Sequence, residues 1–85
     1  MTQWTLYVVM NEAGIAYTGI ALDVQARLIS HNNGTGAKFT RGRGPWRIIY
    51  VEGPLTHGDA LRRERAIKKD QAFKTQLKEQ SRLRL

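Results

Sequence analysis

The chain contains no cysteine, and this absence limits more strongly than any other feature what its 85 residues can fold into. A chain this short lies near the lower end of the lengths that close a hydrophobic core unaided. Disulfides are excluded as staples, and with only two histidines a four-ligand structural zinc site is excluded as well. We therefore expect one compact domain over residues 1–85, in which any metal is held mainly by oxygen atoms.

Net charge is the second constraint. The chain has 14 Lys and Arg against 7 Asp and Glu, a formal charge of +7, and the excess is spread through its second half. A basic surface on a folded body attracts polyanions, of which nucleic acid is the commonest in a cell. A membrane partner fits poorly, because no stretch approaches the roughly 20 apolar residues of a spanning helix. Residues 1–4 lack the charged and apolar regions of a secretion signal, so we expect a cytoplasmic protein.

Hydrophobic patterning predicts a hairpin and a short helix in the first half. Residues 4–10 are rich in β-branched and aromatic types, and residues 11–14 supply turn chemistry before a second such run over residues 15–20. Asp23 is a suitable N-cap for a helix that ends near Asn32.

The second half predicts a basic loop, a third strand and a long helix. Residues 33–45 hold four glycines, one lysine, two arginines and no acid, which indicates a mobile basic loop. A strand over residues 46–51 should end at Gly53-Pro54. Thr56 and Asp59 resemble a capping box for a helix from about His57 to Lys69, and the pattern allows a restart after Asp70.

Glu64 interrupts the apolar stripe of the long helix. Leu61 and Ile67 each lie three residues from it, on the same helical face. One interpretation is a partly exposed glutamate paired with a neighbouring basic residue, which residue types alone favour. The other is an oxygen ligand for Mg²⁺ or a similar ion.

Two further pairs of side chains suggest chemistry, and each has an ordinary structural alternative. Arg27 and His31 are four residues apart, so one helical face projects a fixed cation and an imidazole, which suits either a phosphate or plain solvent. Tyr7 and Tyr17 lie on adjacent predicted strands, where register could bring them together, although strand aromatics are usually core. The basic loop could close over a phosphate backbone or be a floppy connection.

Taken in order, these residues resemble the GIY-YIG nuclease superfamily, and within it the small stand-alone bacterial type related to the nuclease domain of the excision-repair protein UvrC. Leu6-Tyr7-Val8 stands where the family has GIY, and Tyr17-Thr18-Gly19 where it has YIG. The later matches are Asp23, Arg27, His31-Asn32, the stretch 34–42, and Ala60 to Glu64 ahead of Lys68-Lys69. Five spaced elements in the right order make chance similarity improbable.

The resemblance implies an α+β fold with a three-stranded antiparallel sheet flanked by helices in the order β-β-α-β-α, which agrees with the predicted elements. It also implies phosphodiester hydrolysis with one divalent metal, Mg²⁺ or Mn²⁺. By position, Glu64 would be the metal ligand, Arg27 the phosphate-binding cation, and Tyr7 and Tyr17 the paired active-site tyrosines. His31 stands where many members have a catalytic histidine. Candidates for contacts with the nucleic-acid backbone are Lys38, Arg41, Arg43, Arg62, Arg63, Lys68 and Lys69.

The chemistry of these roles requires a base. A tyrosine accepts a proton from water only as phenolate, which its unperturbed pKa of about 10 disfavours at neutral pH. Nearby cations, the metal and a hydrogen bond to His31 would favour the phenolate, so we expect Tyr7 to be the general base, with His31 assisting or relaying the proton. We expect Tyr17 to orient the scissile phosphate or the attacking water.

The sequence departs from the family pattern in two places. The GIY triplet survives only at its tyrosine, and the isoleucine of YIG is Thr18. Neither change removes a chemical group that the mechanism needs. Several larger relatives also carry a late asparagine near the site, but no asparagine follows Asn33 here.

Two other functions compete with a DNA nuclease. One is a binding module, active in repair or as an accessory, that keeps the fold but does not cut. The other is a structural or ribosome-associated protein whose charge neutralises RNA, with salt-sensitive binding and no metal dependence. The complete set of site residues favours a nuclease in DNA repair or processing, with low sequence specificity because few groups can read base edges. The sequence leaves open whether the substrate is single-stranded, duplex or branched, whether RNA is also cut, and whether cutting is endo- or exonucleolytic. It also leaves open whether the protein is a monomer or a weak homodimer.

Overall fold

The computed structural model describes residues 3–83. Met1 and Thr2, on which part of the secretion-signal prediction rests, and residues 84–85 of the expected domain lie outside this range. Within it the elements are β1 (Trp4–Met10), β2 (Ala16–Ala21), α1 (Val24–Asn33), a 3-10 turn (Lys38–Thr40), β3 (Arg47–Leu55), α2 (His57–Lys69) and α3 (Gln71–Leu83). No helix among the described residues is long and apolar enough to cross a membrane.

The three strands form one antiparallel sheet in the order β2-β1-β3. The predicted α+β class and strand arrangement are therefore confirmed, with α3 as an additional helix after the predicted restart. Asp70 explains the restart, because its side chain accepts a hydrogen bond from the backbone N–H of Phe73 at 3.0 Å and so caps α3.

The central strand β1 is buried on both faces and divides the molecule into two packed layers. Leu6 and Val8 point to one face, where they pack with Ile67 of α2 and Leu77 of α3. Tyr7 and Val9 point to the opposite face, where Trp46 and the apolar residues of α1 cover them. Because side chains alternate along a strand, adjacent residues of β1 serve two different environments.

Strand β3 continues through Gly53-Pro54 to Leu55, so the prediction that this dipeptide ends the strand is wrong. In the order β2-β1-β3, strand β3 is an edge strand, where a proline without an N–H is tolerated. A Cβ on Gly53 would lie 2.9 Å from the carbonyl oxygen of Trp4, so glycine allows the two backbones to approach.

The predicted caps of α1 and α2 are present. Asp23 accepts a hydrogen bond from the N–H of Ala26 at 3.0 Å, and Thr56 accepts one from the N–H of Asp59 at 3.0 Å. Helix α1 ends at Gly34, whose φ of 78° is the left-handed conformation that favours glycine. These caps fix where α1 begins and ends, and therefore where its side chains lie over the sheet.

The basic loop between α1 and β3 is tied to the body at several points. Thr40 is fully buried, and its carbonyl accepts a hydrogen bond from Trp46 Nε1 at 3.0 Å. The Asn32 side chain accepts from the Trp46 N–H at 2.6 Å, and Asn11 Nδ2 donates to the Arg43 carbonyl at 2.9 Å. Its glycine content predicts mobility, but these contacts hold the middle and end of the loop against the sheet.

Candidate active site

Tyr7, Tyr17 and His31 lie together on the α1 face of the sheet. In the β1–β2 register Tyr7 pairs with Gly19 and Tyr17 pairs with Val9, so the two tyrosines are diagonal neighbours on one face. The His31 ring, from α1, is centred 5.8 Å from the Tyr7 ring and 5.2 Å from the Tyr17 ring. Three residues that are far apart in sequence therefore meet as the resemblance implies.

Two glycines leave the room that this cluster needs. A Cβ on Gly19 would lie 2.6 Å from the Tyr7 hydroxyl oxygen, and a Cβ on Gly36 would lie 2.6 Å from His31 Nδ1. Both hypothetical contacts are far shorter than a van der Waals distance, and both side chains concerned are buried. Gly19 is the glycine of the YIG-like triplet, so its role here is to admit the hydroxyl of Tyr7.

Tyr7, His31 and Thr40 form a chain of hydrogen bonds. The Tyr7 hydroxyl lies 2.8 Å from His31 Nε2, and His31 Nδ1 lies 2.8 Å from Thr40 Oγ1. The Thr40 hydroxyl in turn donates to the carbonyl oxygen of Ala37 at 2.9 Å. Each of these donor–acceptor distances is well within the hydrogen-bonding range.

The direction of the chain follows from counting protons. A hydroxyl has one proton, and a backbone carbonyl can only accept, so Thr40 uses its proton on Ala37 and must accept from His31 Nδ1–H. A neutral imidazole has one N–H, so Nε2 carries a free lone pair and accepts from the Tyr7 hydroxyl. His31 is therefore arranged to receive the Tyr7 proton.

The surroundings keep both members of this pair neutral. Burial, followed by the charge of Arg27, lowers the pKa of His31, so the imidazole is uncharged near pH 7. Burial also raises the pKa of Tyr7, and this effect outweighs the lowering by the Arg27 guanidinium beside it. The expected phenolate is thus not the favoured form of Tyr7 by itself, and His31 is the group placed to accept its proton.

Arg27 and Glu64 contribute opposite charges near this cluster. Among residues 3–83, Arg27 forms no salt bridge with an Asp or Glu side chain. It lines an open groove of about 350 Å³ together with Trp4 and Ser30. The Glu64 side chain is 20% exposed, with one oxygen 3.4 Å from Lys68 Nζ, so the predicted pairing with a basic neighbour exists. Its charge also raises the pKa of Tyr7, as the weakest of the contributing causes.

The predicted metal ligand at this site is the single carboxylate of Glu64. Within the described range, no cluster of three or more His, Cys, Asp or Glu side chains could hold an ion. Mg²⁺ keeps several waters and binds through one or two carboxylates together with substrate phosphate. A single carboxylate whose charge acts on Tyr7 therefore fits an ion that arrives with a phosphate group, and does not fit a preformed metal cage.

The seven predicted backbone-contact residues fall into two groups. Lys38, Arg41 and Arg43 are exposed in the basic loop, on the side of the cluster. On α2, by contrast, Arg63 donates to Glu52 through Nε at 2.7 Å and Nη2 at 3.0 Å, which ties α2 to β3. The other three residues also lie on α2: Arg62 pairs with Asp59, Lys68 pairs with Glu64, and Lys69 is exposed. The loop is the better candidate surface for a phosphate backbone.

Both departures from the family pattern point away from the cluster. Leu6 and Val8, which flank Tyr7 in the GIY-like triplet, lie in the core against α2 and α3. Thr18 pairs with Val8 in the β1–β2 register and so shares its face. The changed residues alter the packing of one face and leave the other, which carries the tyrosines, intact.

Several residues of this site have structural roles that the sequence does not indicate. Thr40 orients His31, and Asn32 and Trp46 hold the loop that carries Thr40. Phe39 stacks on Tyr17, with ring centroids 5.9 Å apart and planes inclined by 23°. The stretch 34–42 belongs to the resemblance, but only the path of the loop gives its members these partners.

Comparisons with known proteins agree with this geometry. The GIY-YIG catalytic domain model matches residues 3–78. A UPF0213 protein of Staphylococcus epidermidis is 47% identical over 68 residues, covering 80% of this chain and 83% of that protein. A UPF0213 protein of Pseudomonas aeruginosa is 45% identical over 65 residues, covering 76% of this chain and 62% of that protein.

A solved structure is similar as well. The solution NMR structure of a UPF0213 protein from Bacillus halodurans is 36% identical, with a TM-score of 0.53, and covers 87% of this chain and 80% of that one. The matched region contains the tyrosines, Arg27, His31 and Glu64. The chain therefore belongs to the GIY-YIG family, a family of nuclease type that acts on nucleic acid, and within it to the UPF0213 proteins.

Proposed function

We propose that the chain is a nuclease that hydrolyses DNA phosphodiester bonds with the help of Mg²⁺ or Mn²⁺. The observation that carries this proposal is the directed hydrogen bond from the Tyr7 hydroxyl to His31 Nε2, which gives a buried phenol an acceptor for its proton. A protein that only binds nucleic acid has no use for such a relay. Arg27 and Glu64 beside it supply the charges that phosphoryl transfer needs.

The proton pathway runs through three groups. As a water molecule attacks phosphorus, its proton passes to the Tyr7 oxygen while the Tyr7 proton passes to His31 Nε2. His31 becomes a cation that donates through both nitrogens, with Thr40 Oγ1 accepting at Nδ1. The bond between phosphorus and the leaving oxygen then breaks, and the electron pair stays on that oxygen. Neither phenolate nor imidazolium has to exist before substrate binds.

The remaining residues hold the phosphate. Arg27 neutralises charge that develops on the phosphoryl oxygens, and Tyr17, whose ring is centred 5.2 Å from that of His31, orients the phosphate. Glu64 would hold the divalent ion, whose chemistry is to stabilise negative charge on the phosphate and the leaving oxygen. Lys38, Arg41 and Arg43 contact the backbone on either side, and such contacts carry little sequence information. DNA repair or processing in the cytoplasm, by a single domain spanning residues 1–85, is the setting that fits.

The test compares wild type with Glu64→Gln on labelled single-stranded and duplex DNA, in Mg²⁺, Mn²⁺ or EDTA. The matched control is Glu79→Gln, because Glu79 is an exposed glutamate on α3. We expect metal-dependent cutting by wild type and by Glu79→Gln, and loss of cutting in Glu64→Gln. Undiminished cutting by Glu64→Gln would remove Glu64 from the site. Salt-dependent binding without cutting by any of the three proteins would make the chain a binding module.

A further inference from the structure

Phe39 is a large apolar side chain placed in solvent at the edge of the candidate active site. The residue is 45% exposed, although it lies in the only 3-10 turn of residues 3–83 and next to the fully buried Thr40. One part of the ring stacks on Tyr17, and the Arg43 guanidinium lies 5.0 Å from its centroid. An aromatic ring thus lies next to both a site tyrosine and a cation.

The support under this ring is rigid. Thr40, the next residue, is fixed by hydrogen bonds to His31 and Ala37 and by the Trp46 indole. Arg43 is fixed through its carbonyl, which accepts from Asn11. These bonds hold the loop at Thr40 and Arg43, so the Phe39 side chain projects from a fixed segment of backbone.

Charge explains the rest of this loop but does not explain Phe39. Lys38, Arg41 and Arg43 attract phosphates, and a benzyl side chain adds nothing to that attraction. Proteins that bind single strands combine a basic groove with aromatic rings on which bases stack, often together with arginine planes. Every base has a π-face, whereas a base inside a duplex already has both faces covered by its neighbours. Only an unpaired nucleotide can present its face to Phe39.

We infer that Phe39 and Arg43 form a stacking site for one nucleobase of an unpaired strand, beside the nucleotide whose phosphate is cleaved. This inference rests on the proposed function, since the same strand supplies the phosphate. The base stacks on the exposed part of the Phe39 ring, and Arg43 contacts the base or the adjoining phosphate. Single-stranded or splayed DNA is then the preferred substrate, and a fully paired duplex binds through the loop cations alone.

The test uses single-stranded oligonucleotides that carry 2-aminopurine at successive positions, bound in EDTA so that no cutting is needed. We expect wild type to quench the probe strongly at one position. Phe39→Leu, which keeps apolar volume but removes the aromatic face, should lose that quenching and bind about tenfold more weakly. Phe39→Trp should restore both. Ile29→Ala is the matched control, because Ile29 is 61% exposed on α1 and should change neither.

A second arm leaves the protein unaltered. An abasic residue at the quenched position should weaken wild-type binding about tenfold and should not weaken Phe39→Leu further, while duplex binding should be the same for both proteins. Equal losses on duplex and single strand, or unchanged quenching in Phe39→Leu, would overturn the stacking site. If the probe is quenched and the abasic residue weakens binding but the protein cuts no DNA, the stacking site stands and the proposed nuclease function is wrong. If wild type and Phe39→Leu cut single-stranded DNA equally well, the nuclease function stands and the stacking site is refuted.

Discussion

The two faces of strand β1 are equally buried but are held together by different interactions. On the face covered by α2 and α3, Leu6 and Val8 meet aliphatic and aromatic partners and are wholly inaccessible to solvent. On the face covered by α1, Tyr7, His31 and Thr40 are just as inaccessible, yet each carries a polar atom that depends on a named partner. In the described part of the chain, no buried side-chain nitrogen or oxygen lacks a hydrogen-bond partner.

This difference separates stability from chemistry within one strand. The aliphatic face depends on volume, so substitutions there change the free energy of unfolding through lost contacts and cavities. The polar face depends on which atom donates and which accepts, so removal of a single oxygen changes the chemistry with little change in volume. Neighbouring positions of β1 should consequently respond to mutation in opposite ways.

Tyr7→Phe and Leu6→Ala test this contrast most directly and have the largest expected effects. Tyr7→Phe keeps the ring and removes only the hydroxyl, so it should lower cleavage by about 10²- to 10⁴-fold and lower the free energy of unfolding by only about 1 kcal/mol. Leu6→Ala should lower the free energy of unfolding by about 2 to 5 kcal/mol and leave the rate per folded molecule unchanged. Urea titrations and single-turnover cleavage measure the two quantities.

DNA affinity is the internal control for Tyr7→Phe, because the basic loop and Arg27 are untouched and binding should stay nearly intact. Full turnover by Tyr7→Phe would mean that the proton of the water does not pass through Tyr7. A large loss of rate per folded molecule in Leu6→Ala would mean that the two faces are coupled through β1.

Thr40→Val tests the direction of the hydrogen-bond chain and should have an intermediate effect. Without the Thr40 oxygen, His31 Nδ1–H has no acceptor, so the tautomer protonated at Nε2 becomes populated and donates to Tyr7 instead of receiving its proton. Cleavage should fall by about tenfold to 100-fold, and Thr40→Ser should restore it. Two-bond ¹H–¹⁵N NMR spectra of the imidazole report the tautomer. A Thr40→Val variant that keeps Nδ1–H and the full rate would refute the positioning role.

Local features of this fold could be read from the sequence, and cross-chain features could not. The β-branched and aromatic run of β1 and the caps at Asp23 and Thr56 depend on residue types and on short spacings, so composition and spacing suffice. The continuation of β3 through Pro54 depends on its edge position, which only the assembled sheet defines. The Arg63–Glu52 pair joins α2 to β3, and no helical pattern indicates that this arginine has a carboxylate partner on another element.

The residues of the candidate site can likewise be divided into those that the sequence identifies and those that only the fold identifies. Tyr7, Tyr17 and His31 could be selected because their spacing matches a known family, and the structure brings them together. Thr40 and Phe39 could not, because their roles depend on how a glycine-rich loop folds back over α1. The pKa of Tyr7 was expected to fall through its cationic neighbours, yet it is raised. Burial outweighs Arg27, and the depth of burial cannot be read from residue types.

The smallest expected effect is the pH dependence of folding, and it too distinguishes the two faces. Because burial lowers the pKa of His31 in the folded protein, the unfolded chain binds its proton at higher pH than the folded chain does. His31 should therefore leave stability unaffected above its unfolded pKa of about 6.5. Stability should then fall as the pH falls from there through the lowered folded value, by no more than about 1.4 kcal/mol per pH unit.

Urea titrations of wild type and His31→Gln between about pH 7 and 5 should show the steeper decline in wild type. The free energy of unfolding of Leu6→Ala should be lower than that of wild type at every pH but should change with pH to the same extent, because the substitution removes no titrating group. Equal slopes for wild type and His31→Gln would show that His31 accepts a proton in the folded protein as readily as in the unfolded one. His31 would then be partly protonated near pH 7, which would weaken it as an acceptor for the Tyr7 proton, whereas the aliphatic face, whose cohesion does not depend on pH, would be unaffected by that result.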